Sequence, residues 1–231
     1  MLEKLRPAKV RTALRRRQFE FRMHRIAVDP YDGEVLELGS AYGSWTIPTD
    51  PLDETWVCYC VGAGGDVSFE RELLSRGVAV VRSFEPDEEY IGRIEVPDEH
   101  RSRFTVHPVA ITPSDGSVRM QRTHIPGSRS LSPVDLYDTH EYVEMPGRSL
   151  RSLMDELGDE RIDLLKVDVE GGEYDLLPSL DLLGMGVRIF CIQLHHTGSV
   201  RQARELVAGV RGQGFRLVVV KPTVRLTFLR A

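Results

Sequence analysis

Cysteine is scarce in this chain of 231 residues, and no two cysteines form a Cys-x-x-Cys pair. Cys58, Cys60 and Cys191 all lie inside apolar runs, which excludes a zinc cluster or a disulfide framework and predicts buried thiols in a cytoplasmic protein. No apolar run approaches the roughly 18 residues that a membrane helix needs. With 41% hydrophobic and 28% charged residues, the chain has the composition of a globular protein rather than a disordered one.

Negative charge is nearly missing from residues 1–25, which hold nine lysines and arginines against Glu3 and Glu20. That segment carries +7 within a chain of net charge −5, so the remainder carries −12, and an acidic body argues against general nucleic-acid binding. No apolar core of signal-peptide type follows, so export is not expected. We interpret the segment as a solvated helix that packs on the body or on a second subunit of a homodimer. The alternative is contact with an acidic membrane or partner.

The rest of the chain alternates between predicted strands and predicted helices, which indicates an α/β domain with a mainly parallel sheet. Val109–Thr112 is interpreted as a continuation of the strand before it, and the proline- and serine-containing stretch 123–146 as a long irregular loop. The last two strands are joined by a short connection, so the final strand must run antiparallel to its partner. The predicted strands are 34–39, 56–61, 78–84, 103–107, 117–122, 162–168, 187–194, 215–220 and 224–229, and the predicted helices are 67–76, 149–157, 174–180 and 200–211.

A glycine-rich turn and an acidic residue indicate a cofactor that contains adenosine. The turn Val61-Gly-Ala-Gly-Gly-Asp66 joins a strand to a helix, where glycine lets the backbone approach a ligand closely. It departs from the Gly-x-Gly-x-x-Gly pattern because position 67 is valine, and a tight structural turn is the alternative. Glu85 stands 23 residues after Gly62 at the end of the next strand, where a carboxylate can accept hydrogen bonds from both ribose hydroxyls.

Two further groups of polar residues follow later strands. Asp168 ends the strand expected beside the first one, and Lys166, within the same apolar run, is expected to play a structural role by pairing with Glu170 or Glu173. His195 and His196 end the next strand, and an imidazole near its ordinary pKa suits proton removal at neutral pH. We expect one of these two histidines to be catalytic.

Three sequence blocks resemble the FkbM-type S-adenosylmethionine-dependent methyltransferases. The blocks are Cys60-Val-Gly-Ala-Gly-Gly-Asp-Val-Ser-Phe-Glu70, Ser83-Phe-Glu-Pro86 and Leu165-Lys-Val-Asp-Val-Glu-Gly-Gly-Glu173, and the last is the most specific. Together with Tyr42-Gly-Ser-Trp45 they are closest to the branch that includes the methyltransferase-like proteins of animals. The resemblance implies a class I, Rossmann-like fold: a seven-stranded, mainly parallel sheet with an antiparallel last strand and helices on both faces.

The resemblance also implies roles for individual residues. Gly62, Gly64 and Asp66 would line the methionine end of S-adenosyl-L-methionine and Glu85 its ribose, while Asp168 would face the reaction centre and Val109 and Ala110 the adenine. Tyr42 and Trp45 would either close over the cofactor or pack in the core. The family often has Glu-x-His where this chain has Gln193-Leu-His195, so a divalent cation is conceivable but unsupported, and the role of base falls to His195.

We therefore predict an O-methyltransferase that acts on a hydroxyl of a sugar, glycan or secondary metabolite. Residues 1–50 would form a basic helical arm and cap, and residues 51–231 the methyltransferase domain. The candidate acceptor wall consists of His124, Ser128, Ser130, Tyr137 and His196. One rival function is a nicotinamide-dependent oxidoreductase, although the chain lacks a Tyr-x-x-x-Lys pair; the other is a cofactor-binding domain without catalysis.

Overall fold

The computed structural model describes residues 7–122, 131–135 and 141–231. The helices are α1 (Pro7–Met23), α2 (Ser68–Ser75), α3 (Glu88–Ile91), α4 (Leu150–Leu157), α5 (Glu173–Leu176) and α6 (Val200–Gly212). The strands are β1 (Val35–Leu38), β2 (Trp45–Pro48), β3 (Val57–Val61), β4 (Val80–Phe84), β5 (Phe104–His107), β6 (Ala110–Ile111), β7 (Gly116–Arg122), β8 (Leu131–Ser132), β9 (Tyr142–Arg148), β10 (Leu164–Val167), β11 (Ile189–Gln193), β12 (Phe215–Lys221) and β13 (Arg225–Arg230).

A seven-stranded sheet of order β12-β13-β11-β10-β3-β4-β5 forms the centre of the fold. The neighbours from β11 to β5 are parallel, whereas β13 is antiparallel to both β11 and β12. The prediction of a mainly parallel α/β sheet with an antiparallel last strand is confirmed. The sheet has an apolar cluster on each face, because alternate residues of a strand point to opposite faces. Cys58 and Cys60 of β3 face the cluster that contains α2, whereas Tyr59 and Val61 face the cluster that contains α4 and α6.

A second sheet of order β6-β9-β7-β8 corrects two predictions about the segment after β5. Val109–Thr112 does not continue β5, because the chain turns at Pro108 and Val109 N–H bonds back to His107, so that β6 pairs with β9 instead. The stretch 123–146 is also not wholly irregular, since it contains β8 and most of β9. Pro146 is tolerated there because β9 pairs with β6 only from Gly147 onward.

The basic N-terminal segment forms α1, and this helix packs on the body. Phe19 is 5% exposed and Met23 is fully buried, both within the apolar cluster that contains α6. No helix in the described part of the chain is long and apolar enough to cross a membrane. The division of the chain at residue 50 stays a prediction.

Candidate active site

A cavity of about 850 Å³ opens at the carboxyl ends of β3, β4, β10 and β11. In parallel sheets this edge is where cofactors bind, because loops and helix N-termini converge there. The predicted site residues that line it are Gly62, Gly64, Asp66, Glu85, Val109, Ala110, Asp168, His195 and His196. Four residues of the predicted acceptor wall, His124, Ser128, Ser130 and Tyr137, lie outside the described residues.

The glycine turn is shaped by two different requirements. Gly62 has φ +79°, and a Cβ there would overlap the carbonyl oxygen of Asp168, so the close approach of the β3 and β10 ends requires glycine. Gly64 has φ +57°, and a Cβ there would meet no atom within 4 Å. The residue at position 62 therefore determines the packing of the turn, whereas the residue at 64 borders open space.

Glu85 closes the turn from the end of β4. It is 5% exposed, and its carboxylate oxygens accept hydrogen bonds from the backbone N–H groups of Gly64 at 2.8 Å and Asp87 at 3.0 Å. Burial raises the pKa of Glu85, although these two hydrogen bonds oppose the shift. Since a carboxylate has about four acceptor positions, the side chain keeps acceptor capacity for hydroxyl groups in the cavity.

Asp66 lines the cavity, but its carboxylate is engaged with the protein. It accepts hydrogen bonds from the Ser40 hydroxyl at 2.6 Å and the Ser68 N–H at 2.9 Å. Burial raises the pKa of Asp66, but these hydrogen bonds outweigh it and the net shift is downward. The side chain thus joins the start of α2 to the loop before β2, and a direct contact between Asp66 and a cofactor stays a prediction.

Lys166 has a different partner from those predicted. Its ammonium lies 3.4 Å from the Glu70 carboxylate and donates a 2.8 Å hydrogen bond to the carbonyl oxygen of Gly62. Glu170 and Glu173 were the expected partners, yet both turn toward His195 instead. Burial disfavours the ammonium, but Glu70, Cys60 and Asp168 together outweigh it and the pKa of Lys166 is raised. The buried Lys166–Glu70 pair therefore holds the glycine turn through the Gly62 carbonyl, which is a structural role of the kind predicted for Lys166.

His195 lies among three carboxylates. Its Nδ1 is 2.7 Å from Glu173, which is fully buried, while its Nε2 is 3.4 Å from Glu170 and 4.0 Å from Asp168. Burial disfavours the imidazolium, but Glu173 and the other carboxylates outweigh it and raise the pKa of His195 to about 9. The expectation of an ordinary imidazole pKa is therefore wrong, because the sequence did not show that Glu170 and Glu173 would converge on this ring.

Gln193 contacts the other nitrogen of the His195 ring. Its amide oxygen accepts a 2.9 Å hydrogen bond from Arg225, so its amide NH₂ points to His195 Nε2 at 3.1 Å. In the neutral ring, Nδ1–H donates to Glu173 and Nε2 is the acceptor. A carboxylate at position 193 would add a fourth negative charge to this group, which the neutral amide avoids.

Within the part of the chain that the structure describes, one group of side chains has the spacing of a metal site, and it includes His195. Ligand atoms of Asp168, Glu170 and His195 all lie within 4.8 Å of one another. Nδ1 of His195 is held by a carboxylate, as is common for metal-binding histidines. A divalent cation was not predicted from the sequence, and this group names the residues that could hold one.

The cavity-lining residues that were not predicted as site residues include three side chains of α1: Arg16, Phe19 and Glu20. Their spacing along a basic helix carried no signal of a site. Tyr42 and Trp45 also line the cavity, in different ways: Trp45 is 2% exposed and packs in the core, whereas Tyr42 is 74% exposed. His196 is half-buried, and burial and the nearby Arg16 lower its pKa.

The family comparison places the chain in a methyltransferase family. The model of the methyltransferase FkbM domain matches residues 61–217, more than half of the chain. The chain therefore belongs to the FkbM methyltransferase family, as its sequence blocks predicted. None of the curated protein sequences compared with the chain matches it.

A solved structure of low sequence identity shares the fold. The methyltransferase FkbM from Methylobacillus flagellatus KT is 13% identical, with a TM-score of 0.50 over 77% of this chain and 44% of that one. This chain thus corresponds to less than half of that protein's length. The precorrin-6y C5,15-methyltransferase from Geobacter metallireducens GS-15 is 11% identical, with a TM-score of 0.42 over 78% of this chain and 82% of that one. At 13% identity, the likeness to the Methylobacillus protein is one of fold.

Proposed function

We propose that this protein is a class I methyltransferase that transfers a methyl group from S-adenosyl-L-methionine to a hydroxyl of a sugar, glycan or secondary metabolite. One observation carries the proposal: the cavity brings the glycine turn and the buried Glu85 into the same space as Asp168 and His195. A cofactor site and an acid–base group thereby share one wall. We infer a hydroxyl acceptor because a hydroxyl must lose its proton on methylation, and this wall provides a base that can remove it.

The residues of the cavity fit the proposed cofactor. Glu85 keeps acceptor capacity for a ribose diol, Val109 and Ala110 offer an apolar surface to adenine, and Gly64 leaves space for the methionine end. When bound, S-adenosyl-L-methionine supplies a methyl group that its sulfonium already makes electrophilic. The protein then has to hold the acceptor oxygen in line and remove its proton. Positioning of this kind contributes roughly 7–11 kcal/mol to lowering a barrier.

His195 is the proposed base, and Glu173 positions it. The hydrogen bond to Glu173 holds the ring with Nε2 toward the cavity, as a carboxylate orients histidine in hydrolytic triads. The acceptor hydroxyl would replace the Gln193 amide as the hydrogen-bond donor to Nε2 and pass its proton to that atom as its oxygen takes the methyl group, with S-adenosylhomocysteine as the leaving group. Asp168 has a buried carboxylate oxygen without a hydrogen-bond partner in the described structure, and it would orient the acceptor or the cofactor. His196 and the undescribed His124, Ser128, Ser130 and Tyr137 remain the proposed acceptor wall.

The proposal is tested by binding and by turnover. Calorimetric titration with S-adenosyl-L-methionine, with nicotinamide dinucleotide as the comparator, should show binding of the former alone. Formation of S-adenosylhomocysteine is then measured over a panel of sugar and natural-product hydroxyls. Preferential binding of the nicotinamide cofactor would favour an oxidoreductase, whereas cofactor binding without turnover of any acceptor would favour a non-catalytic domain.

The same assay separates the two roles open to the Asp168, Glu170 and His195 group. Turnover that a chelator abolishes and Mn²⁺ restores would assign the group to a divalent cation. Turnover that a chelator leaves unchanged would leave His195 as the base. A homodimer and a cytoplasmic location remain predictions, and light scattering in solution tests the first of them.

Replacing Glu85 with alanine should weaken S-adenosyl-L-methionine binding by about 1.5–3 kcal/mol, the scale of hydrogen bonds to a charged group. The reason is that the variant loses the diol acceptor and also the carboxylate that holds Gly64 N–H. Titration calorimetry measures the change. Glu88→Ala is the matched control, because Glu88 is an exposed acid three residues away. Equal affinities for the two variants would remove Glu85 from the ribose role.

A further inference from the structure

The outer face of α1 exposes two large apolar side chains. Leu14 is 60% exposed and Phe21 is 63% exposed, and a separation of seven residues places them on the same side of a helix. Phe19 and Met23 are buried on the opposite side, against the body. The helix is therefore apolar on two sides, and only one of them is covered by the described part of the chain.

Arginines surround this exposed apolar pair. Arg15, Arg17 and Arg22 are exposed on α1, and the guanidinium of Arg25 lies 5.5 Å from the centre of the Phe21 ring. The acidic residue in the same stretch, Glu20, is bonded to Arg16 at 2.7 Å. We call Leu14, Arg15, Arg17, Phe21, Arg22 and Arg25 the outer face of α1. It combines exposed apolar side chains with a local excess of positive charge.

The outer face and the candidate active site lie on different sides of α1. Arg16, Phe19 and Glu20 of the same helix line the cavity, and Phe19 belongs to the side that packs against the body. A surface that binds the outer face would therefore have α1 between itself and the cavity.

We propose that the outer face of α1 binds the surface of an anionic lipid bilayer, with Leu14 and Phe21 inserted at the headgroup–acyl boundary and the arginines at the headgroups. Interfacial membrane helices likewise present Phe or Leu together with Lys and Arg. Charge complementarity supports the lipid, since polybasic segments are attracted to anionic leaflets. Membrane binding does not depend on the proposed methyl transfer. An acceptor presented at the bilayer surface, however, rests on the proposed function.

Two other occupants fit the outer face less well. A second copy bound through the same face would place arginines opposite arginines, which disfavours association. Nucleic acid would use the arginines but would leave Leu14 and Phe21 without a role, and the chain outside residues 1–25 carries −12.

The test is co-sedimentation of the full chain with vesicles of phosphatidylcholine alone and of phosphatidylcholine with one quarter phosphatidylglycerol. Binding is expected to the anionic vesicles only and to weaken as salt is added. Arg17→Gln and Arg22→Gln should each lower the partition constant about fivefold. Phe21→Ala should lower it about tenfold, because the insertion of an apolar ring is lost. Arg101→Gln and Leu183→Ala are the controls, since both residues are exposed and neither belongs to α1.

Thermal unfolding of the variants checks that the fold is kept, which is expected because the substituted side chains are exposed. Equal binding by the outer-face variants and the controls would overturn the proposal. Absence of binding to anionic vesicles would also overturn it. So would a result in which Phe21 is needed for dimerisation, measured by light scattering, or for RNA binding, measured by fluorescence anisotropy, but is not needed for vesicle binding.

Discussion

Replacing His195 with alanine should lower kcat about 10²–10⁴-fold, the usual contribution of a positioned general base. Affinity for S-adenosyl-L-methionine should change little, because the ring contacts Glu173, Glu170 and Gln193 rather than the glycine turn or Glu85. Initial rates with one hydroxyl acceptor and calorimetry with the cofactor measure the two quantities separately.

His196→Ala is the matched control for this variant. Both histidines line the cavity, and β11 ends at Gln193, so strand alternation does not separate them. Their contacts do: His195 is held by a buried carboxylate, whereas the pKa of His196 is lowered by burial and by Arg16. The control should therefore lose much less activity. Similar mild losses in both variants would contradict the histidine base and leave Asp168 or positioning as the explanation.

The pH dependence of kcat follows from the carboxylates around His195. Only the neutral ring accepts a proton, and the carboxylates raise its pKa to about 9, so kcat should rise with pH through that value. An unperturbed imidazole would give a rise near roughly 6.5. Glu173→Gln removes the nearest negative charge and should move the rise to lower pH. A profile that stays in place in this variant would remove Glu173 from the positioning role.

The central sheet was predictable because its strands carry a strong local signal. β10 is buried at all four positions and β3 at four of five, and such continuous apolar runs are typical of strands covered on both faces. Residues that directly follow these strands, such as Gly62, Glu85 and Asp168, could therefore be assigned to one sheet edge. Chain order is enough for this, because parallel strands end at the same edge.

The contacts between distant segments could not be predicted in the same way. Lys166 pairs with Glu70, which is 96 residues earlier in the chain and comes close only once α2 has packed beside β3 and β10. Nearer acids in sequence were the natural expectation. Glu170 has φ +49°, a conformation that no local sequence preference indicates for glutamate, and its carboxylate lies by His195. The charge state of the proposed base thus depends on tertiary structure.

Replacing Lys166 with methionine should lower the free energy of unfolding by about 3–5 kcal/mol, the cost of breaking a buried ion pair from one side. Lys166 is 4% exposed and Glu70 is fully buried, so the variant leaves a carboxylate without its counter-charge. Urea unfolding followed by circular dichroism measures the loss.

The double variant Lys166→Met with Glu70→Leu distinguishes loss of the ion pair from burial of an unpaired carboxylate. Removing both charges takes away the uncompensated carboxylate, so most of the lost stability should return. Affinity for S-adenosyl-L-methionine should be below that of the wild type in both the single and the double variant, because Gly62 lacks the ammonium that donates to its carbonyl oxygen at 2.8 Å. A double variant with both stability and affinity restored would show that the turn keeps its conformation without Lys166. A single variant as stable as the wild type would show that the pair contributes nothing to folding.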